Sequence, residues 1–358
     1  MPTGFNERRQ QLFHRVLAVG GGLNSTSPVR TLAEGEASYL WDTYPKMGRL
    51  EPCKRHTDVV YDLSATANQI VYHMYVYEGA VAWLCMFCDT KVYVDNTGTP
   101  VDKTPSTPFT STTHHRYEAY TMLTSGSPVA VCNNFGTDKP HYWDGGGGLF
   151  LILTDSYKGK CCVPFLGSLF MGHSFESSTW YPNRLRWSDS GDITAWSGIT
   201  SGWYDLENEG DEIRRLGVLG RILWAFRKNT VYRIPPTGNF LAPIEDHIYA
   251  GRGLAAPFSL QRIEEAGFLF LSDDDVYLCG PSVWQGVGSR IRKELFATAD
   301  PAKLLYAWSA LDPREKRYYL VTDMKDATVR AWIYNYEENN WTMQDFTGYS
   351  SLIKWVKV

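Results

Sequence analysis

Six aromatic side chains recur along the chain at near-constant spacing. Tyr93, Tyr142, Trp187, Tyr232, Tyr277 and Tyr334 lie 49, 45, 45, 45 and 57 residues apart. Each stands in the same local pattern: a small residue opens a short apolar run, a polar turn follows, and a second run carries the aromatic. "EGAVAWLCMFCDTKVYVD", "LGRILWAFRKNTVYRIP" and "EAGFLFLSDDDVYLCG" are three of the six copies. A period of roughly 40 to 50 residues with about four short strands per unit is the signature of a β-propeller, because a single small sheet cannot bury both of its faces and must stack on its neighbours. The expectation is an all-β chain with one propeller of about six four-stranded blades over residues 57–358, preceded by an extended arm over 1–56.

Composition supports this. Tyr 22, Phe 16, Trp 13 and Gly 31 in 358 residues favour many strands joined by tight turns. Gly79, Gly167, Gly220 and Gly267 mark the start of the apolar run in four units. "GGGG" (145–148) and "PPTG" (235–238) read as connections between blades. Only stretches near 6–18 and 285–306 carry a helical pattern. The apolar run "IVYHMYVYEGAVAWLCMFC" (70–88) is broken by Glu78-Gly79 and rich in Val, Tyr and Trp, so it reads as two strands and a turn, not a membrane span.

The formal net charge of −4 offers no footprint for gripping a polyanion. Residues 1–56 hold 8 Lys/Arg and 5 Asp/Glu, net +3, which leaves 27 minus 34, or −7, for the remainder. A basic arm therefore precedes an acidic body. Seven cysteines, an odd number without framework spacing, point to folding in a reducing cytoplasm, and no export signal is evident.

The motifs that could carry chemistry have structural readings. Cys85 and Cys88 form a CxxC, but positions i and i+3 of a strand face opposite ways, and no second ligand pair is near. Cys161-Cys162 has the same geometry. His114-His115 reads as a solvated loop, and Asp273-Asp274-Asp275 as a tight turn too short for calcium. The tetraglycine is not followed by Gly-Lys-Ser/Thr or by a helix pattern, so it is no phosphate loop. No cofactor and no metal are expected. The stretch "PNRLRWSDSGDITAWSG" (182–198) resembles the Asp-box turn of sialidase-type propellers, with Ser188, Asp189, Gly191, Thr194 and Trp196 in altered spacing. Its polar groups are expected to close the turn and Trp196 to pack on the sheet, leaving the exposed portion near Asp192 to meet a neighbouring subunit.

Read end to end, the order of segments resembles a family of propeller proteins in the tails of double-stranded DNA bacteriophages, the tail nozzle or tail-tube proteins of short-tailed phages. The landmarks are "GGGLNSTSPVRTLAEGEASYLWDTYPKMGRLEPCKRH" (20–56), then "VAVCNNFGTDKPHYWDG", "NRLRWSDSGDITAW", "GRILWAFRKNTVYRI", "GFLFLSDDDVYLCG", "DPREKRYYLV" and "IYNYEENNWT". The chain departs from the pattern in reading "CKRHTD" where Arg-Gly is usual, and it lacks large inserted platform domains. The resemblance implies a non-enzymatic virion component in a ring of copies, expected as a hexamer, assembled in the host cytoplasm. It would sit below the portal and adaptor proteins, offer surfaces to tail fibres, and wall a conduit for DNA without sequence-specific binding. Leu23, Asn24, Pro28, Glu36 and Arg49 in the arm, with Asp192, are the candidate assembly residues, and the basic arm is expected to dock on an acidic neighbour and order upon assembly. Two other classes stay open. One is a lectin-like receptor-binding propeller using Trp180, Trp196 and Trp203; the other, a sialidase-like hydrolase, lacks an arginine cluster, tyrosine nucleophile and paired carboxylate on matching blades.

Overall fold

The computed structural model describes residues 71–112, 117–207, 210–236, 246–250, 252–264 and 266–346, with short segments at 22–27, 32, 36–37, 43–46 and 49–52. In the arm, β1 (Gly22–Leu23) pairs in parallel with β2 (Glu36–Ala37), and β3 (Thr43–Lys46) forms a hairpin with β4 (Arg49–Pro52). Six four-stranded antiparallel sheets follow in chain order as the blades of a β-propeller.

Blade 1 holds β5 (His73–Glu78), β6 (Ala82–Phe87), β7 (Val92–Asp95) and β8 (Val101–Asp102); blade 2 holds β9 (Tyr117–Thr124), β10 (Ser127–Asn134), β11 (His141–Trp143) and β12 (Leu151–Ile152). Blade 3 comprises β13 (Tyr157–Phe165), β14 (Ser168–Glu176), β15 (Thr179–Trp187) and β16 (Gly202–Asp205). Blade 4 comprises β17 (Ile213–Leu219), β18 (Ile222–Arg227), β19 (Thr230–Ile234) and β20 (Asp246–Ala250). Blade 5 runs through β21 (Gln261–Ile263), β22 (Gly267–Leu271), β23 (Val276–Cys279) and β24 (Trp284–Gly286). After helix α1 (Arg292–Thr298) and a single 3-10 turn, blade 6 closes the series with β25 (Trp308–Asp312), β26 (Arg317–Asp323), β27 (Val329–Asn335) and β28 (Asn340–Phe346). The helix lies inside the stretch 285–306 where the sequence pattern predicts one; residues 6–18 lie outside the described residues.

Every one of the six spaced aromatics falls on the third strand of its blade. The spacing is thus the blade period, and the long last interval is the stretch that holds α1. Alternate side chains on each strand go to opposite faces, and the faces of successive blades interlock. Phe87, Val94, Tyr117 and Trp143 join blades 1 and 2, and Met122, Val131, Leu169 and Met171 join blades 2 and 3. Leu185, Trp187, Leu216 and Leu223 join blades 3 and 4, Trp224, Phe226, Phe268 and Phe270 join 4 and 5, and Leu269, Val276, Trp332 and Trp341 join 5 and 6. The first strands contact one another around the centre, β5 on β9, β9 on β13, β13 on β17 and β21 on β25.

Gly79, Gly167, Gly220 and Gly267 all stand at the turn from first to second strand. Gly167 has φ +80°, a conformation that costs an L-residue strain. The "GGGG" and "PPTG" stretches do not connect blades. The former lies between β11 and β12, and the latter begins between β19 and β20, its residues 237–238 lying outside the described residues. Both are turns into a fourth strand, and β12 is only two residues long, too short to leave a hydrophobic pattern in the sequence. Among the described residues no helix is long and apolar enough to cross a membrane, and within the run at 70–88 residues 73–87 form the β5–β6 hairpin.

Candidate functional site

The five described candidate assembly residues do not converge. Leu23, Glu36 and Arg49 belong to the arm strands and Asn24 follows β1, and β1 and β3 lie against β28 of blade 6. Asp192 lies three blades away, in the loop between β15 and β16, and Pro28 falls outside the described residues.

The arm is joined to its own chain. Leu23 is fully buried in the cluster between blades 5 and 6, so its side chain is unavailable to a partner in this conformation. The backbone N–H of Asn24 donates to the Ala37 carbonyl at 2.8 Å, and those of Ser25 and Thr26 both donate to the Arg290 carbonyl, at 2.9 and 3.1 Å. Asn24 is itself buried and its Oδ1 accepts from the Ser27 N–H. Glu36 stands opposite Gly22 in the β1–β2 pair, and Arg49 opposite Lys46 in the β3–β4 hairpin.

Asp192 is a turn former. Its Oδ1 accepts from the Thr194 N–H and hydroxyl at 2.9 and 2.6 Å and from the Thr124 hydroxyl of blade 2 at 3.3 Å. Asp189 does the same for the next turn, accepting from the Thr200 N–H at 2.7 Å and its hydroxyl at 2.6 Å. Gly198 is required here, because a Cβ at that position would overlap the Asp189 carboxylate. Trp196 is buried against Tyr157, and the Ser188 hydroxyl accepts from the Leu169 N–H. The Asp-box-like stretch is structural, as its residue types suggest. Its exposed residues are Ser190, Gly191, Thr194 and Ser197, and just beyond it Ile199 is 91% accessible, a residue that a search for polar chemistry passes over.

Donation from Thr200 and Thr194 holds both carboxyls below the ordinary aspartate value. A depressed folded pKa stabilises the fold at neutral pH, and that contribution disappears as pH falls through the folded value. Asp189→Asn is therefore expected to lower the melting temperature at pH 7. The difference from wild type should shrink as the pH drops below about 4, and thermal melts of the two proteins over that range check it.

Side chains from several blades meet inside the propeller. Glu118 on β9 is almost wholly buried; its Oε2 accepts from the Cys162 N–H of β13 at 2.7 Å and its Oε1 lies 3.1 Å from Arg215 Nε of β17. Burial is the largest influence and would depress the Arg215 pKa, but Glu118 together with Tyr120, Cys161 and Cys162 outweighs it and the guanidinium is held above its ordinary value. The guanidinium also covers the Phe258 ring at 4.5 Å, and Phe258 meets Phe135 of blade 2 at 5.5 Å. Three blades and the segment leading into blade 5 thus meet at the centre.

The remaining charged clusters are mutually satisfied. On blade 3, Arg184 makes two 2.7 Å bonds to Asp205 and is sandwiched between Tyr181 and Trp203 at 3.8 and 4.1 Å. Arg186 bonds Glu176 and the Tyr157 hydroxyl. Cys85 and Cys88 sit in clusters on opposite faces of blade 1, each thiol pushed up to about 12 by burial. Cys161 and Cys162 are likewise divided between two faces. Asp273 to Asp275 form a strand turn in which Tyr277 donates to Asp274. Among the described residues no group of His, Cys, Asp and Glu is arranged to hold a metal; His114 and His115 lie outside them.

No protein-family model matches the chain, and no curated protein does. Among solved structures it is similar to the extracellular domain of a one-component system from B. thetaiotaomicron, at 11% identity and a TM-score of 0.42, over 75% of this chain and 33% of that one. It is similar to the Neurospora crassa Pan2 WD40 domain at 9% identity and 0.43, over 78% and 79%. It is also similar to PorZ of the Porphyromonas gingivalis type-IX secretion system, at 12% identity and 0.45, over 77% and 32%. The chain spans about a third of the length of the first of these, and the likeness is one of fold.

Proposed function

We propose that this propeller is a non-enzymatic structural component of a bacteriophage tail, working through its outer surfaces in a ring of copies below the portal and adaptor proteins. The observation that carries the reading is the outer rim of blades 1 and 2. Val101, Leu149, Leu151 and Ile152 lie on or beside the two-residue edge strands β8 and β12 and are 40 to 52% exposed. The two edges adjoin, since the Phe150 N–H donates to the Lys103 carbonyl at 3.0 Å. Unpaired strand edges flanked by exposed aliphatics invite pairing with another chain, and here the neighbouring subunit is the occupant.

The Glu118–Arg215 pair sharpens the conduit. It joins side chains of blades 2 and 4 inside the propeller, so in the proposed ring a duplex would run along the outside of each propeller, between copies. The acidic body suits this role, because it lacks the run of cations that would hold a duplex by counterion release. After the arm motif, the motifs that resemble the tail family fall on blades 2 to 6, the last two both on blade 6.

Leu151→Glu combined with Val101→Glu should leave a folded monomer that melts like the wild type but is missing from particles when imaged with a label on this protein. Normal incorporation of the double variant would count against the proposal.

A further inference from the structure

The β14–β15 hairpin of blade 3 carries an indole on a built platform. Its two-residue turn is Ser177-Ser178, both with positive φ (+47° and +68°), the conformation of a tight hairpin turn normally left to Gly or Asn. Trp180 follows, 39% exposed. Its ring packs against Phe175 at 5.1 Å and receives the edge of His173 at 5.3 Å. Gly136 of blade 2 makes room for it, for a Cβ there would come 2.7 Å from the indole Cη2.

His173 is a strained support. It has φ +55° beside the register break between Gly172 and Ser174, and its buried Nδ1 has no hydrogen-bond partner. Such strain concentrates where surrounding structure holds a residue for a purpose. Burial, reinforced by the Lys160 charge, lowers its pKa to about 4, so the imidazole is neutral at physiological pH.

Two lysines flank the aromatic surface. Lys160 Nζ stands 5.7 Å from the Trp180 ring and 3.7 Å from Glu212; Lys158 Nζ stands 6.0 Å from the Phe175 ring. Lys158 donates to the Thr137 carbonyl and has no carboxylate partner among the described residues. The exposed side chains of Ser177, Ser178 and Thr179 add hydroxyls at the same end of the hairpin.

We infer that the Trp180 platform binds a carboxylated pyranose, as one residue of an acidic glycan. The C–H face of the sugar would stack on the indole, Lys158 would meet the carboxylate, and the Ser/Thr hydroxyls would reach ring hydroxyls. A nucleic-acid strand fits less well, since strand binding uses several stacking rings along a basic groove, whereas Trp180 belongs to a body of net negative charge. The inference rests on this hairpin with its flanking residues of β13 and blade 2, and is independent of the tail assignment.

The test is titration of the full chain with sodium D-glucuronate, N-acetylneuraminate, D-glucose and a short oligothymidylate, read by saturation-transfer NMR and calorimetry. At least one carboxylated sugar should bind, and glucose more weakly. Trp180→Ala should weaken that binding about tenfold or more, Trp180→Phe less, and Lys158→Ala should abolish the preference over glucose. Trp203→Ala, which removes a 52% exposed indole elsewhere on blade 3, should change nothing, and all variants should melt as folded proteins. Failure of both carboxylated sugars to bind, equal binding of glucose, displacement of the sugar by oligothymidylate at lower concentration, or loss with Trp203→Ala in place of Trp180→Ala would overturn the inference.

Discussion

Replacing Arg215 with methionine is expected to destabilise the propeller by about 3–5 kcal/mol, the cost of leaving a buried charge without its partner. Methionine conserves much of the volume over Phe258, so the loss reports on charge more than on packing. Glu118 would keep its bond from the Cys162 N–H but lose the counter-charge 3.1 Å away while its own carboxylate stays almost wholly buried. The double variant Glu118→Gln/Arg215→Met should recover a large part of the loss, because an amide can still accept from Cys162 without carrying charge. Urea unfolding of wild type, both single variants and the double variant forms a thermodynamic cycle that checks this. A single-variant loss under about 1 kcal/mol would mean that the pair is exposed to water, which would also remove the reason to send DNA around the propeller.

The blade count was legible because each blade repeats one demand: a bulky aromatic on the third strand facing the second. Tyr93 opposite Met86, Trp187 opposite Phe170 and Tyr277 opposite Phe270 show that demand as cross-strand pairs. The fourth strands were hidden for the opposite reason. β8 and β12 are two residues long, and the apolar residues on and beside them are exposed, so no alternation marks them and the tetraglycine before β12 reads as the end of a blade.

The division of Cys85 from Cys88 and of Cys161 from Cys162 followed from the period of two. The buried pair did not follow, because Glu118 and Arg215 are 97 residues apart by number and one of them lies in "IRRLG", where Arg214 looks equivalent. Only the fold tells them apart: Arg214 turns to Glu212 and the carbonyls of Leu254 and Ala255, Arg215 to Glu118. The arm illustrates a further limit. Its charge pointed to a docking segment, but composition cannot say whether the dock lies on a neighbour or at home.

Leu23 decides between those two docks. Its side chain is buried in the cluster between blades 5 and 6 that also holds Ile263, Leu269, Leu295, Trp341 and Met343, and Leu23→Ala is expected to cost about 2–5 kcal/mol if that cavity forms in the monomer. The change should also loosen the hydrogen bonds beside it, raising amide exchange at Asn24, Ser25 and Thr26, whose N–H groups are committed to Ala37 and Arg290. Leu23→Asp should go further and release the segment altogether, since a carboxylate in that cluster has no partner. In the wild-type monomer these three amides should already be protected. Were they to exchange freely in the monomer and become protected only in assembled particles, the same leucine would be filling a neighbour's blade 6, and arm exchange between copies would be the bond that holds the ring. Protection in both states would leave the rim at Val101 and Leu151 as the contact surface of the proposed ring.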